Sequence, residues 1–495
     1  MTSLRFVPAD RDLVPLVVNS AVDYRDKYRG VLVGVGIGDA LGRPAEGKGP
    51  GWLKADYGTI TDFIPWNGWR GGPKGTLTDD SELTIALAES LIERREMDPV
   101  DFGRRCAAWV HVGRGKGRAT SAACLNLIDG VSWEHSGSKS AGNGAAMRTA
   151  PIALLHPVDV NRLRKDAAIS AVVTHADPTA ALSAAAFAYV IAELVHTRPG
   201  DLDIDTLLER MCASLEDMSD PELPERKPGG GTVRLLDRME EMGDRLDQSP
   251  DELFGYTFNG AFVSESLPAA LWCFLRSPDD PELVLTTAVN GGYDADTVAA
   301  MAGAMAGAYN GVSAWPARWV GELEYRDGLE GCADDLLDLS SLPHHDLVDM
   351  PLPEVARVDD FTGPFGFLSN SARVPIEIDG LRYPTVEHAY SSRRIAWEAV
   401  ASDVRFIPTP AGAIARREVP AHPNWPSDRL NVMETLLAVK FAPGSHAANR
   451  LLATGDASLR NENWWFDRFW GTVDDIGENR LGLMLEDLRD SLRKT

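Results

Sequence analysis

The sequence is poor in the features that tie a chain to an oxidising compartment, a membrane or a polyanion. Its 495 residues hold only five cysteines (Cys106, Cys124, Cys212, Cys273 and Cys332), and none forms a CxxC pair. That scatter excludes a disulfide scaffold or a zinc ribbon and fits buried, reduced thiols. Long apolar runs are also missing, and no stretch is expected to approach the roughly 18 residues of a membrane span. The glycine-rich GVLVGVGIGDALG from Gly30 is short and contains Asp39. The opening MTSLRFVPADRD carries acids where an export signal needs a basic end and an apolar core. The expectation is a cytoplasmic protein with no membrane contact; its oligomeric state is not legible.

Basic residues are scarce as well: 49 Lys+Arg stand against 73 Asp+Glu, a net charge of −24. The deficit is uneven. Residues 359–495 carry 16 basic and 19 acidic side chains, a balance of −3, which leaves −21 in the first 358 residues. The acidic part should repel a phosphate backbone, whereas the nearly neutral tail can tolerate a nucleotide or a single strand. The length implies two to three domains. The stretch SSLPHHDLVDMPLPEVARVDD, with three prolines and no clear period, reads as a linker. The expected division is residues 1–340, a linker at 341–358, and residues 359–495.

What is present in the first part is helical period. SELTIALAESLIERR, DPTAALSAAAFAYVIAELVH and DTVAAMAGAMAGAYNG repeat apolar residues at helical spacing, with few alternating patterns between them. Gly30, Gly34, Gly38 and Gly42 recur every fourth residue, which costs helix stability but opens one face to close packing by a neighbouring helix. The same segment nearly mimics a dinucleotide fingerprint, but the third glycine falls at Asp39 and no strand precedes it.

Two acidic turns share a plan. GTLTDDSELT sets Thr78, Asp79 and Asp80 before a helix, and NGGYDADTVAAMAG sets Asp294, Asp296 and Thr297 before another. Either turn alone reads equally well as a capped helix. Capping needs one side chain per helix, however, and two acids plus a hydroxyl at both exceed it. Converging carboxylates would need a cation between them, and oxygen-only donors favour Mg²⁺ or Mn²⁺ over zinc.

The order GVLVGVGIGDALGRPAEG, TLTDDSELT, SAGNGAAMRTAPIAL, THADPTA and NGGYDADTVAAMAGAMAGA resembles the ADP-ribosylglycohydrolases, the group that includes the dinitrogenase reductase-activating glycohydrolase. The resemblance implies an all-α fold with a binuclear Mg²⁺ (or Mn²⁺) centre that cuts the bond between ADP-ribose and a modified group. It implies Thr78, Asp79, Asp80, Asp294, Asp296 and Thr297 as metal ligands, and Glu46 in GRPAEG as a base or gate over them. Asp79 and Asp80 are further candidates for proton transfer. Ser140, Gly142, Asn143 and Gly144 make a small-residue loop whose amides suit a diphosphate. His175 suits a ribose hydroxyl, and Gly291 and Gly292 would let backbone pass close to the ligand. Read without the resemblance, these are a turn, a structural histidine and a tight turn. GRGKGR from Gly113 ranks below simple surface as a phosphate contact.

In the tail, FTGPFGFLSN, YPTVEHAY, NWPSDRLNVMETLLAVKFA and LLATGDASLRNENWWFDRFWGTVDDIGENRLGLMLEDLR resemble the NADAR, or YbiA-like, family. That implies a compact, mostly helical α+β domain with N-glycosidase activity. The substrate is either a ribosylamino intermediate of riboflavin synthesis or ADP-ribose on a guanine base, and no cofactor is expected. Glu387 is the candidate acid or base, with Asp467 assisting or pairing with Arg429. Lys440 is a candidate for phosphate contact or for acting on the opened sugar, against a snorkelling surface lysine. Asn370 suits ribose or a turn. Trp425, Trp464, Trp465 and Trp470 supply flat surfaces, of which one or two would stack a base at about 1–3 kcal/mol. Either Glu462 or Asn461 fills the family's glutamate position. The combined expectation is a two-headed hydrolase that acts on ADP-ribosylated protein or nucleic acid and releases ADP-ribose. In the other reading, one half is a non-catalytic ADP-ribose reader.

Overall fold

A computed structural model describes residues 3–66, 72–225, 231–345 and 351–494. The chain divides into two compact units, residues 1–344 and 345–495.

The helices that frame the first unit's site are α1 (Tyr24–Gly42), α2 (Asp79–Arg94), α3 (Pro99–Trp109), α4 (Arg118–Ile128), α5 (Pro178–His196), α6 (Val263–Arg276) and α7 (Ala295–Asn310). The glycine row of α1 settles how they assemble. A Cβ on Gly30 would overlap the Gly307 carbonyl, one on Gly34 the Gly303 carbonyl, one on Gly38 the Ala299 carbonyl, and one on Gly42 the backbone of Asp296. Gly303 and Gly307 return the relationship against the carbonyls of Gly34 and Gly30. Numbers rise along α1 as they fall along α7, so the two helices run antiparallel at near backbone contact. Each glycine costs roughly 1 kcal/mol of helix propensity relative to alanine, and the close approach offsets it. The consequence is positional: the C-terminal end of α1 lies beside the N-terminal end of α7. Glu46, just beyond α1, is thereby brought to the second acidic turn, while Asp39, one turn back, reaches the first.

Helix α5 corrects one expectation. Its 19 residues are long and apolar enough, by length and composition, to cross a membrane, but 89% of the qualifying window is buried inside the first unit. Alanine on every face lets it pack on all sides. Its start is capped by Asp177, which accepts from the amides of Thr179 and Ala180.

In the second unit, β1 (Arg357–Val358) pairs in parallel with β4 (Ser458–Leu459), and β2 (Ile376–Ile378) forms a hairpin with β3 (Leu381–Tyr383). The hairpin turns on Asp379 and Gly380, both at positive φ (53° and 72°), as a tight two-residue turn requires. Helices α8 (Val386–Arg394) and α9 (Trp425–Lys440) close over a core that includes Leu368, Tyr383, Val386, Leu437 and Phe441. Strand β1 falls inside the stretch expected to be linker. A two-residue strand whose partner lies about a hundred residues away leaves no local period to read. Residues 346–350 of that stretch lie outside the described residues.

Candidate active sites

The two acidic turns meet. Helix α2 starts at Asp79 and α7 at Ala295, and neither N-cap residue, Thr78 or Asp294, makes a side-chain capping bond. The Thr78 side chain turns instead to Asp39, whose carboxylate accepts the Thr78 hydroxyl (2.5 Å) and amide (2.8 Å) and the Ser81 hydroxyl (2.5 Å) and amide (3.2 Å). Burial raises the Asp80 pKa, and from across the gap the Thr297 side chain draws it down. Asp80 Oδ1 is buried without a hydrogen-bond partner. Carboxylate oxygens of Glu46, Asp294 and Asp296 lie within 4.8 Å of one another.

Electrostatics follow from this convergence. Burial first, then the charges of Asp39, Asp79 and Asp294, push Asp80 well above the usual carboxylate range. Burial, then Asp39, Glu82 and Asp294, do the same to Asp79. Burial, then Asp80 and Asp294, do so for Asp296, against the opposing pull of Arg43. Carboxylates held this close and this dry strongly favour a bound cation or a proton. The all-oxygen donor set and the orphaned Asp80 oxygen fit a hard divalent cation.

The glycine-rich loop joins the same site. Asn143 Nδ2 hydrogen-bonds to Asp294 and, at 3.2 Å, to Ser266 Oγ. The loop lies along the start of α6, with Asn143 N donating to Ala261 O and Val263 N to Ala141 O. Ser140 Oγ accepts from Gly142 N at 3.2 Å. His175 sits beneath it: a Cβ on Gly144 would stand 2.9 Å from His175 Cε1. Burial, aided by Arg148, lowers the His175 pKa to about 3, so the ring is neutral. Arg148 is itself buried and clamps the loop from behind, donating to Gly144 O (2.7 Å), Ser170 O (2.9 Å) and Thr174 Oγ1 (2.7 Å).

Three readings change. The GRGKGR loop is no simple surface: a Cβ on Gly115 would stand 2.6 Å from Asp79 Oδ1, and the backbone there has φ +71°. Two of its basic side chains turn to protein partners, Arg114 to Glu82 (2.9 Å) and Glu324 (3.0 Å), Lys116 to Val110 O (2.8 Å). Gly291 packs against the Phe254 ring and Gly292, at φ +68°, against the Lys48 carbonyl, so the room both glycines free is used by the protein itself.

The second unit holds a cavity of about 760 Å³. Glu387, in the first turn of α8, is buried there; its Oε1 accepts from Ser391 Oγ (2.9 Å) and pairs with Arg417. Burial raises its pKa despite Arg417. Asn370, Asp467, Trp470, Asn461 and Glu462 also line the cavity, and Trp464 and Trp465 stand exposed at it. Asp467 does not pair with Arg429: its Oδ1 accepts from the amides of Phe469 and Trp470 at 2.9 Å, while Arg429 lies over the Phe469 ring at 3.6 Å. Trp425 packs edge-on against Tyr390 (4.9 Å) and lies outside the lining. Lys440 is no surface lysine. It is 2% exposed, donates to the carbonyl of the cavity residue Ser369 (2.6 Å), and burial lowers its pKa to about 7.

The ADP-ribosylglycohydrolase family model matches residues 20–345, most of the chain, and the NADAR domain model matches residues 359–493. The chain belongs to the ADP-ribosylglycohydrolase family. It is a glycosyl hydrolase of two domains, the ADP-ribosylglycohydrolase domain followed by NADAR. Bovine ADP-ribosylhydrolase ARH3 is 30% identical over 59% of this chain and 87% of its own length. The ADP-ribosylarginine hydrolase Tri1 of Serratia proteamaculans is 26% identical over 63% and 79%. A solved structure described as an ADP-ribosylglycohydrolase-related protein complex has a TM-score of 0.52 and 28% identity, covering 64% of this chain and 99% of that one.

Sequence reading passed over four residues that the ADP-ribosylglycohydrolase and NADAR domains place beside these clusters: Arg43, Asp39 as the acceptor for Thr78 and Ser81, Gly115 and Arg417. Asp39 alone carried a signal, an acid on a glycine-lined helix face. The other three carry their meaning only through residues distant in sequence.

Proposed function

We propose that the ADP-ribosylglycohydrolase domain cleaves the C1″ bond of ADP-ribose conjugates with the help of two divalent cations, Mg²⁺ or Mn²⁺. Thr78, Asp79, Asp80, Asp294, Asp296 and Thr297 would hold them, with Glu46 over the site. The single observation that carries this is the meeting of two acidic turns whose N-cap side chains decline to cap their own helices. When bound, the metal pair supplies charge neutralisation and a water of lowered pKa. The chain's own groups do the rest. Gly144 would offer its amide and Ser140 its hydroxyl to the diphosphate, Gly142, whose amide is turned to Ser140 Oγ, would leave room for it, and neutral His175 would hydrogen-bond ribose without adding charge. Asp79, Asp80 or Glu46 takes the proton of the attacking water as positive charge builds on the sugar ring. The name of one relative, an ADP-ribosylarginine hydrolase, supports a protein side chain such as arginine as acceptor, with serine the other side chain proposed. The buried cysteines support a reducing, cytoplasmic setting.

For the NADAR domain, the reading is N-glycosidic release of ADP-ribose from a guanine-type base. Glu387 would be acid or base, Asn370 would meet the ribose, Trp470 the base, and Lys440 the opened sugar. One observation favours the ribosylamino alternative. The cavity is lined by Asp359, Asp360, Glu387, Glu462, Asp467 and Asp474 with only Arg417 opposing, a poor place for a polyanion. The full chain, assayed on ADP-ribosylated protein and on ADP-ribosylated guanosine, tests both halves. Asp296→Asn or EDTA should abolish the first activity only, and Glu387→Gln the second only. Retention of both activities in either variant would refute the corresponding assignment.

A further inference from the structure

Arg43 follows directly on α1, and its guanidinium is nearly buried, with 11% of the side chain exposed. One face lies 4.3 Å from the Trp66 ring. Its Nη1 pairs with Glu46 and, at 3.5 Å, with Asp296 Oδ2. A Cβ on Gly115 would come within 3.5 Å of the same nitrogen. The group is thus enclosed by an indole, a loop and two acids of the cluster. Glu46 and Asp296 are also two of the three acids whose oxygens converge within 4.8 Å.

A buried cluster of carboxylates must be neutralised in every state of the protein, by a cation or by protons, and a fixed cation spares it the protons. Arginine is suited to the metal-free state because it cannot lose its proton and stacks on an aromatic face while it forks between carboxylates. A guanidinium and a divalent ion brought to the same two carboxylates repel each other and compete for them. We propose that Arg43 is a built-in counter-cation: it holds Glu46 and Asp296 when no divalent ion is bound and competes with that ion for both carboxylates. This rests on the proposed metal role of the cluster. It makes Arg43 a positioning residue that lowers divalent affinity, keeps the metal-free fold together and sets how readily the ions exchange.

The test uses the full chain, stripped of metal, in calorimetric titrations with Mn²⁺ alone and Mg²⁺ alone, beside thermal melting of the metal-free protein. Arg43→Gln should bind Mn²⁺ at least about tenfold more tightly, since a competing charge is gone, and should melt at a lower temperature than wild type without metal. Arg43→Lys keeps the charge but loses the fork and the stacking, so it should lie between the two and serves if the glutamine variant does not fold. Unchanged or weaker binding in both variants, with wild type binding normally, would overturn the counter-cation role and leave the metal reading standing. A wild-type chain that takes up neither ion would overturn both.

Discussion

Asp39, on α1, gathers the hydroxyl and amide of Thr78 and those of Ser81 onto one carboxylate. One residue of the glycine-lined helix thereby fixes the rotamer and hydroxyl direction of a proposed ligand almost forty positions away. Asp39→Asn replaces one acceptor oxygen with a donor: Oδ1 serves the Thr78 hydroxyl and Oδ2 the other three donors, so one donor or three lose their acceptor. On the proposed ligand role of Thr78, divalent affinity should fall by about 10–100-fold, as for other residues that orient a ligand. Calorimetric titration reads it directly; affinity equal to wild type would show that Thr78 needs no orientation.

The contact between α1 and α7 should tolerate no side chain. Gly38→Ala places a methyl onto the Ala299 carbonyl and should cost about 1–3 kcal/mol or more as the backbones separate. Gly255→Ala, in the separate helix Pro250–Thr257, is the control: nothing lies within 4 Å of its added Cβ, and that helix should gain up to about 1 kcal/mol. Denaturant unfolding of the first domain distinguishes them.

Lys440 should make the NADAR domain more stable in base. The unfolded amine keeps its proton up to about 10.5 and the folded one only to about 7. Between these values unfolding takes up a proton, so stability rises with pH by up to about 1.4 kcal/mol per unit and is flat below pH 7. Urea unfolding across that window should show the rise in wild type and its loss in Lys440→Met. A rise that persists in the variant would assign it elsewhere.

Arg417 opposes the burial that raises the Glu387 pKa. Arg417→Met removes the opposing charge, so the pKa of Glu387 should climb further, by about one unit or more. If Glu387 acts ionised, the acid limb of the NADAR activity moves to higher pH; if it acts protonated, the alkaline limb does. A profile superimposable on wild type would remove Glu387 from the proton transfer.

Legibility divides along range. The helices bearing SELTIALAESLIERR and DTVAAMAGAMAGAYNG are present because apolar spacing repeats within a few residues, and the glycine row announced a close neighbour without naming it. Arg43 and Gly115 were silent, since a lone arginine and a surface-like glycine loop acquire roles only from Asp296, Glu46 and Asp79. At Gly291 and Gly292 the sequence could not say what fills the space of the missing side chains, which is Phe254 and the Lys48 backbone.

The sequence by itself therefore determined the helical class, the two-part division and the chemistry of the side chains on offer, all of which depend on residue type and short-range period. Only the tertiary structure decided that Asp80 and Asp296, about two hundred positions apart, face one another. That outcome depends on an antiparallel contact between two glycine-bearing helices, and the energy of such a contact belongs to both surfaces at once. No window of either segment contains it.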